Sequence, residues 1–156
     1  MGFTGWNNKS TNKYGAHKVA MYGIEFDSRV EGQRWLYLNE MQKRGEISGL
    51  RRQVRFEIIS KTTKQVPVQL KTKIRYDTKV VEMSSNYTAD FVYLERGRYV
   101  MEDVKNEYSQ QIRDYPLRRK LMVKKIQRHN AKGRGQWLCR ESVLVGRRLS
   151  IKDIEP

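Results

Sequence analysis

Asp90, Asp103 and Lys105 stand in two strand-like runs, Tyr87 to Leu94 and Tyr99 to Lys105, joined by Glu95, Arg96, Gly97 and Arg98. Gly97 supplies the flexible turn position, so the runs read as a hairpin. A two-residue turn at Arg96 and Gly97 and a four-residue loop from Glu95 to Arg98 give the same pairing, and both set Asp90 directly opposite Asp103. Side chains so placed have Cβ atoms about 4.5 to 5.5 Å apart, and like charges there are destabilising. A cation between them resolves the conflict. Strand alternation puts Lys105 on the face of Asp103, while Glu102 and Val104 point the other way. Two carboxylates and an ammonium on one face suit phosphodiester hydrolysis with a hard divalent ion, because oxygen ligands leave Mg²⁺ open positions for water and a phosphate. The ion polarises the phosphoryl oxygen and lowers the pKa of a bound water, while Lys105 orients or deprotonates that water or stabilises developing charge. The backbone carbonyl of Val104 is a further candidate ligand. Against this stands a bland alternative: Asp and Lys at i and i+2 on an exposed strand also form ordinary solvated ion pairs.

Glu31 is the fourth candidate. In a helix starting at Asp27 or Ser28, positions 31, 35 and 38 share a face, so Glu31 lies with Trp35 and Leu38 on the side expected to pack on a sheet. A carboxylate facing the core needs a partner. Ser28-x-x-Glu31 also reads as a capping box, in which the glutamate reaches back to the N-cap backbone. With Asp27 as the cap instead, Glu31 is free to turn toward a metal.

The elements that must position these residues follow from pattern and punctuation. Val19, Met21, Ile24 and Phe26 around Gly23 suggest a short strand or hairpin before the helix, which runs to about Arg44 and stops before Gly45. Val54, Phe56 and Ile58 alternate with Arg55 and Glu57 as a half-buried strand does. Thr62 to Ser85, with Pro67, Val66, Val68, Leu70, Ile74 and Tyr76, reads as an extended hairpin. Asp114 with Pro116 marks a second helix, with Leu117, Leu121, Met122 and Ile126 on its buried side, ending near His129 to Gly133. Trp137, Leu138 and Cys139 suggest another strand. The resulting partition is a basic, mobile arm at 1–13, one domain over 14–140, and a terminal strand or loosely packed tail at 141–156.

The chain has 156 residues, the size of one domain. Its 32 Lys and Arg against 17 Asp and Glu give a formal net charge of +15, which calls for a polyanionic partner, nucleic acid above all. No apolar run approaches the roughly 20 residues of a membrane span, so membrane binding is not expected. The start of the chain lacks an apolar signal core, which points to the cytoplasm. Cys139 is the single cysteine, and His17 and His129 stand far apart, so a Cys/His zinc site is not expected.

Gly23-Ile24-Glu25-Phe26-Asp27-Ser28-x-x-Glu31, then Tyr87-Thr88-Ala89-Asp90-Phe91-Val92-Tyr93, then Glu102-Asp103-Val104-Lys105 resembles the PD-(D/E)XK nuclease superfamily. Within it, the similarity is to small phage and prophage proteins related to Holliday-junction resolvases and to the endonuclease subunit of some transposition systems. It spans roughly Tyr14 to Ile126. The resemblance implies an α/β fold: a single restriction-endonuclease-like domain with a mixed central sheet flanked by helices, here carrying a β-hairpin extension. It also implies Glu31 as helix-borne metal or water ligand, Asp90 and Asp103 as metal ligands, Lys105 as the catalytic lysine, and Mg²⁺ as cofactor with Mn²⁺ substituting. Gln53 matches a recurring polar position. Asn106 departs from the pattern, since relatives commonly have Gly after the lysine, and 61–86 is longer than the core fold requires.

For DNA contact the second helix offers Lys120, Lys124 and Arg128 at four-residue steps, with Arg118, Arg119 and Lys125 nearby; such a stripe suits phosphates, though it equally describes a solvated helix face. Lys71, Lys73 and Arg75 in the hairpin extension are further candidates. Three functions fit: a homodimeric structure-selective endonuclease acting on Holliday junctions or other branched DNA, a nuclease that nicks duplex DNA in phage replication, packaging or transposition-like cleavage, and a non-catalytic DNA-binding protein.

Overall fold

Ser28 ends the chain's extended approach and starts the first helix: its Oγ accepts the Glu31 N–H at 3.1 Å, and α1 runs Arg29–Lys43. The helix ends in a Schellman motif. Gly45 takes φ +75°, its N–H reaches the Gln42 carbonyl, and the Glu46 N–H reaches that of Met41, each at 3.0 Å. The computed structural model describes residues 18–106 and 114–154. The expected arm at 1–13 lies outside the described residues.

Before α1, β1 (Val19–Met21) and β2 (Ile24–Phe26) take the hairpin alternative. After it come β3 (Ile47–Ile59), β4 (Thr62–Gln69), β5 (Ile74–Glu82), β6 (Ser85–Glu95), β7 (Arg98–Asn106), α2 (Asp114–Ala131), β8 (Trp137–Val145) and β9 (Arg148–Ile154). The main sheet has the order β3-β6-β7-β8-β9. Only its β7–β8 pair is parallel, the crossover that contains α2, so the fold is mixed α/β. Residues 141–154 take the strand alternative, completing β8 and forming β9.

Neighbouring residues along a strand face opposite sides, and the core divides accordingly. Phe91, Tyr93, Val100, Val104 and Leu138 pack with Leu38 of α1, while Ala89, Val92, Met101 and Cys139 pack with Met122 and Ile126 of α2. The two helices therefore cover opposite faces of the sheet. Leu117 departs from its expected place on the buried side of α2: it is 61% exposed, because the sheet meets the face carrying Met122 and Ile126.

One buried polar network crosses the α1 face. Glu102, fully buried, accepts two bonds from the Arg34 guanidinium at 2.6 and 3.1 Å, and one each from the Tyr93 and Ser142 hydroxyls at 2.5 Å. Burial, followed by the Glu102 charge, pushes the Tyr93 phenol well above its usual range. Arg140 donates to the Tyr93 oxygen at 2.9 Å and pairs with Glu95 and Asp153. Four strands and α1 are tied together at the residue preceding Asp103.

Between β3 and β6 the chain forms the expected hairpin extension, in which β4 and β5 make a two-stranded sheet of their own.

Candidate functional site

The β6–β7 turn sets the register. Arg96 and Gly97 both have positive φ, +49° and +77°, as the primed two-residue turn requires. Glu95 pairs with Arg98, and the ladder runs to Phe91 opposite Glu102. The next step would bring Asp90 opposite Asp103, as the turn arithmetic expects, but the Cα pairing ends one residue short. Asp90 instead fills the opening with its side chain: Oδ2 accepts the Val104 N–H at 2.8 Å.

The cause is a kink shared by two strands. Arg52 pairs with Phe91 and Val54 with Ala89, which brings Gln53 level with Asp90. Arg52 lies over the Phe26 and Trp35 rings on the α1 face, whereas Val54 packs with the α2 cluster. Phe91 and Ala89 are divided in the same way. Regular alternation would keep each such pair on one side. Gln53 carries the switch with φ +48°, a left-handed backbone that costs a non-glycine residue on the order of 1 kcal/mol.

Gln53 joins the carboxylates. Its Nε2 donates to Glu31 Oε1 at 3.0 Å and, with a longer bond of 3.3 Å, to Asp90 Oδ1. The other Glu31 oxygen accepts the Asp27 N–H at 3.2 Å. Ser28 is therefore the cap, but Glu31 bonds the Asp27 N–H one residue before it rather than that of Ser28, and its second oxygen is taken by Gln53. Burial, then the Asp90 charge, raises its pKa above the usual range.

Lys105 completes the group. Its Nζ is 3.8 Å from Asp90 Oδ2 and 4.0 Å from Asp103 Oδ1, and it lies 4.7 Å from the centre of the Tyr115 ring. With Asp90 and Asp103 largely buried, this is not the solvated pair of the bland alternative. Burial raises the pKa of Asp90 despite Lys105, and pushes Asp103 up to about 6.

Sequence reasoning missed two members on the α2 side. Tyr115 Oη donates to Glu141 Oε1 at 2.7 Å and stands 3.4 Å from Asp103 Oδ2. Glu141 is level with Asp103 on the neighbouring parallel strand and pairs with Arg119 at 2.5 Å. The available signal was a carboxylate in β8 at the same alternation as Cys139 and Val143. Tyr115, Arg119, Glu141 and Lys152 also line an open cleft of about 480 Å³. Neither Asp90 nor Lys105 borders it, so the carboxylate–lysine group sits beside the cleft.

Two of the expected phosphate-contact residues are otherwise engaged. Arg119 is held by Glu141, and Lys125 Nζ donates to the Glu57 carbonyl. Arg118, Lys120, Lys124 and Arg128 are exposed on α2, and Lys71 and Lys73 at the tip of the β4–β5 hairpin. Asn106, the departure from the resemblance, stays in β7 level with Leu144.

A family model described as "Protein of unknown function (DUF1064)" matches residues 11–145. The chain belongs to this family. The DUF1064 match takes in Glu31, Gln53, Asp90, Asp103, Lys105, Tyr115 and Glu141, whereas β9 lies beyond it. No curated protein and no solved structure matches the chain. Among the described residues of this DUF1064 protein no helix is long and apolar enough to cross a membrane.

The side chains gathered here are oxygen donors, the class that a hard cation takes. Glu31 and Asp103 are buried and Asp90 is partly so, and burial is the largest cause of the raised pKa of each. Among the described residues no three His, Cys, Asp or Glu side chains converge closely enough to cage an ion. The carboxylates nearest Lys105 are Asp90 and Asp103, with Glu31 joined to Asp90 through Gln53.

This geometry carries a pH signature. In chelator, folded Asp103 keeps its proton up to about pH 6, while the unfolded chain releases it near the ordinary value of about 3.9. Between these values the folded state binds more protons. The stability from this group is thus full below about pH 4 and lost as pH rises through about 6, on the order of 3 kcal/mol in all. Asp103→Asn should gain stability over the parent at neutral pH and lose that advantage toward pH 4, read by urea unfolding. A parent–variant difference independent of pH would count against it.

Proposed function

We propose that this protein is a metal-dependent endodeoxyribonuclease. The observation that supports it is the grouping of Asp90, Asp103 and Lys105 across the end of the β6–β7 ladder, with Glu31 joined through Gln53. Asp90, Asp103 and the Val104 carbonyl, with Glu31, would hold Mg²⁺, or Mn²⁺ in its place, which when bound polarises a phosphoryl oxygen and acidifies water. Lys105 holds its ammonium between the two aspartates, where it orients the attacking water and offsets charge on the phosphate. Gln53 keeps Glu31 and Asp90 apart while bonding both. Tyr115, anchored by its bond to Glu141, limits the movement of Asp103. The net charge of +15 and the exposed Lys120, Lys124 and Arg128 on α2 suit a DNA backbone.

Branched DNA is the proposed substrate, with a homodimer placing two such sites on a four-way junction. Cleavage of a four-way junction and of a linear duplex of the same sequence, compared in Mg²⁺ and Mn²⁺, tests this. Symmetric paired nicks on the junction are expected. Equal cutting of the duplex would leave a duplex-nicking nuclease, and no cutting of either would leave a DNA-binding protein.

A further inference from the structure

The β4–β5 hairpin sorts its charges by face. Residues 61–82 hold six Lys or Arg against Asp77 and Glu82. Lys64 is level with Lys79, Val66 with Asp77 and Val68 with Arg75, so alternation gathers Lys64, Arg75, Asp77 and Lys79 on one side. The other side pairs Gln65 with Thr78, Pro67 with Tyr76 and Gln69 with Ile74, none of them charged, while Glu82 is level with Thr62 beyond a register shift at the base of the arm. Lys71 and Lys73 sit at the tip, which a Leu70 N–H to Lys73 carbonyl bond of 2.8 Å closes.

Asp77 is already paired with Arg75 at 2.8 Å, which leaves Lys64 and Lys79 facing each other across the strands. Like charges so placed are destabilising, and an anionic partner would relieve them. A second copy of the arm would bring the same sign to that face, so charge complementarity favours a polyanion over self-association. A two-stranded ribbon also has the width that the major groove of B-DNA admits.

The arm leaves the main sheet between Ile59 and Ser85, and Ser85 is five residues from Asp90 along β6. That is about 17 Å of strand, or about five base pairs of duplex. We propose that the β4–β5 arm grips duplex DNA about five base pairs or more from the cut, with Lys64, Lys71, Lys73 and Lys79 on backbone phosphates. The place of the cut rests on the nuclease reading; the grip does not.

The test is binding of the full chain to a linear DNA duplex in chelator across a salt series, by fluorescence anisotropy. Lys71→Gln with Lys73→Gln, and separately Lys64→Gln with Lys79→Gln, should each reduce the log–log salt slope by about two. Lys132→Gln with Arg134→Gln, which removes equal charge from the exposed loop after α2, should leave the slope near the parent's. Absence of duplex binding by the parent, or arm and loop variants that change alike, would overturn the proposal. The two readings fail separately. A chain that binds through the arm but cuts nothing keeps the grip and loses the nuclease. A chain that cuts while its arm variants bind like the parent loses only the grip.

Discussion

Lys105→Ala is expected to lower divalent-dependent cleavage by about 100- to 10,000-fold, the usual contribution of a positioned proton-transfer group, while binding of the same DNA in chelator stays largely unchanged. The ammonium lies 3.8 and 4.0 Å from Asp90 and Asp103, too far for a firm hydrogen bond to either. That spacing leaves its protons available to a water or a phosphoryl oxygen. Asp90→Asn and Asp103→Asn should match the loss by a different route. An amide keeps the side chain's shape, and at Asp90 an oxygen for the Val104 N–H, but removes the charge that a metal requires. Initial rates in Mg²⁺ and Mn²⁺, beside anisotropy in chelator, separate chemistry from affinity. Retained cleavage in Lys105→Ala would sink the assignment. If both binding and cleavage fell in all three variants together with the melting temperature, the group would be structural.

The parts of this site that were legible in the sequence are those fixed by short-range rules. The register was legible because a two-residue turn at Arg96 and Gly97 and a four-residue loop around it give the same pairing, and Asp27 or Ser28 and then Gly45 marked the ends of α1. The kink was not legible. Counting by two puts Ala89 and Phe91 on one face, and nothing local announces that β6 and β3 switch sides together at Asp90 and Gln53. That switch depends on two strands 37 residues apart meeting at one level, and it carries the Asp90 side chain into the plane of the sheet. Glu31 offered two exclusive readings only because a carboxylate was treated as one acceptor; one oxygen bonds the Asp27 N–H before the helix and the other bonds Gln53. Leu117 failed for a related reason, since the apolar stripe on α2 is narrower than its sequence and only Met122 and Ile126 are fully buried.

Arg34→Met is expected to destabilise the fold by about 3–5 kcal/mol, the cost of leaving a buried charge without its partner. Glu102 is fully buried, and Arg34, itself nearly so, supplies its only bidentate partner among the described residues. The Tyr93 and Ser142 hydroxyls would remain as neutral donors, which soften the loss without cancelling the charge. For a chain of this size that corresponds to a fall in melting temperature of about 6 to 20 °C. Arg34→Met with Glu102→Leu should recover much of the loss, because neither charge then stays buried and the side-chain volumes are similar. Urea unfolding of both single variants and the double variant measures the coupling. A cost below about 1 kcal/mol for Arg34→Met would mean that the pair is solvated rather than buried. The double variant also bears on the site, because Glu102 and Asp103 are adjacent in β7 and face opposite sides. Apolar packing restores stability but not the bonds from Arg34, Tyr93 and Ser142 that fix the strand's position. Stability is therefore expected to return further than cleavage does.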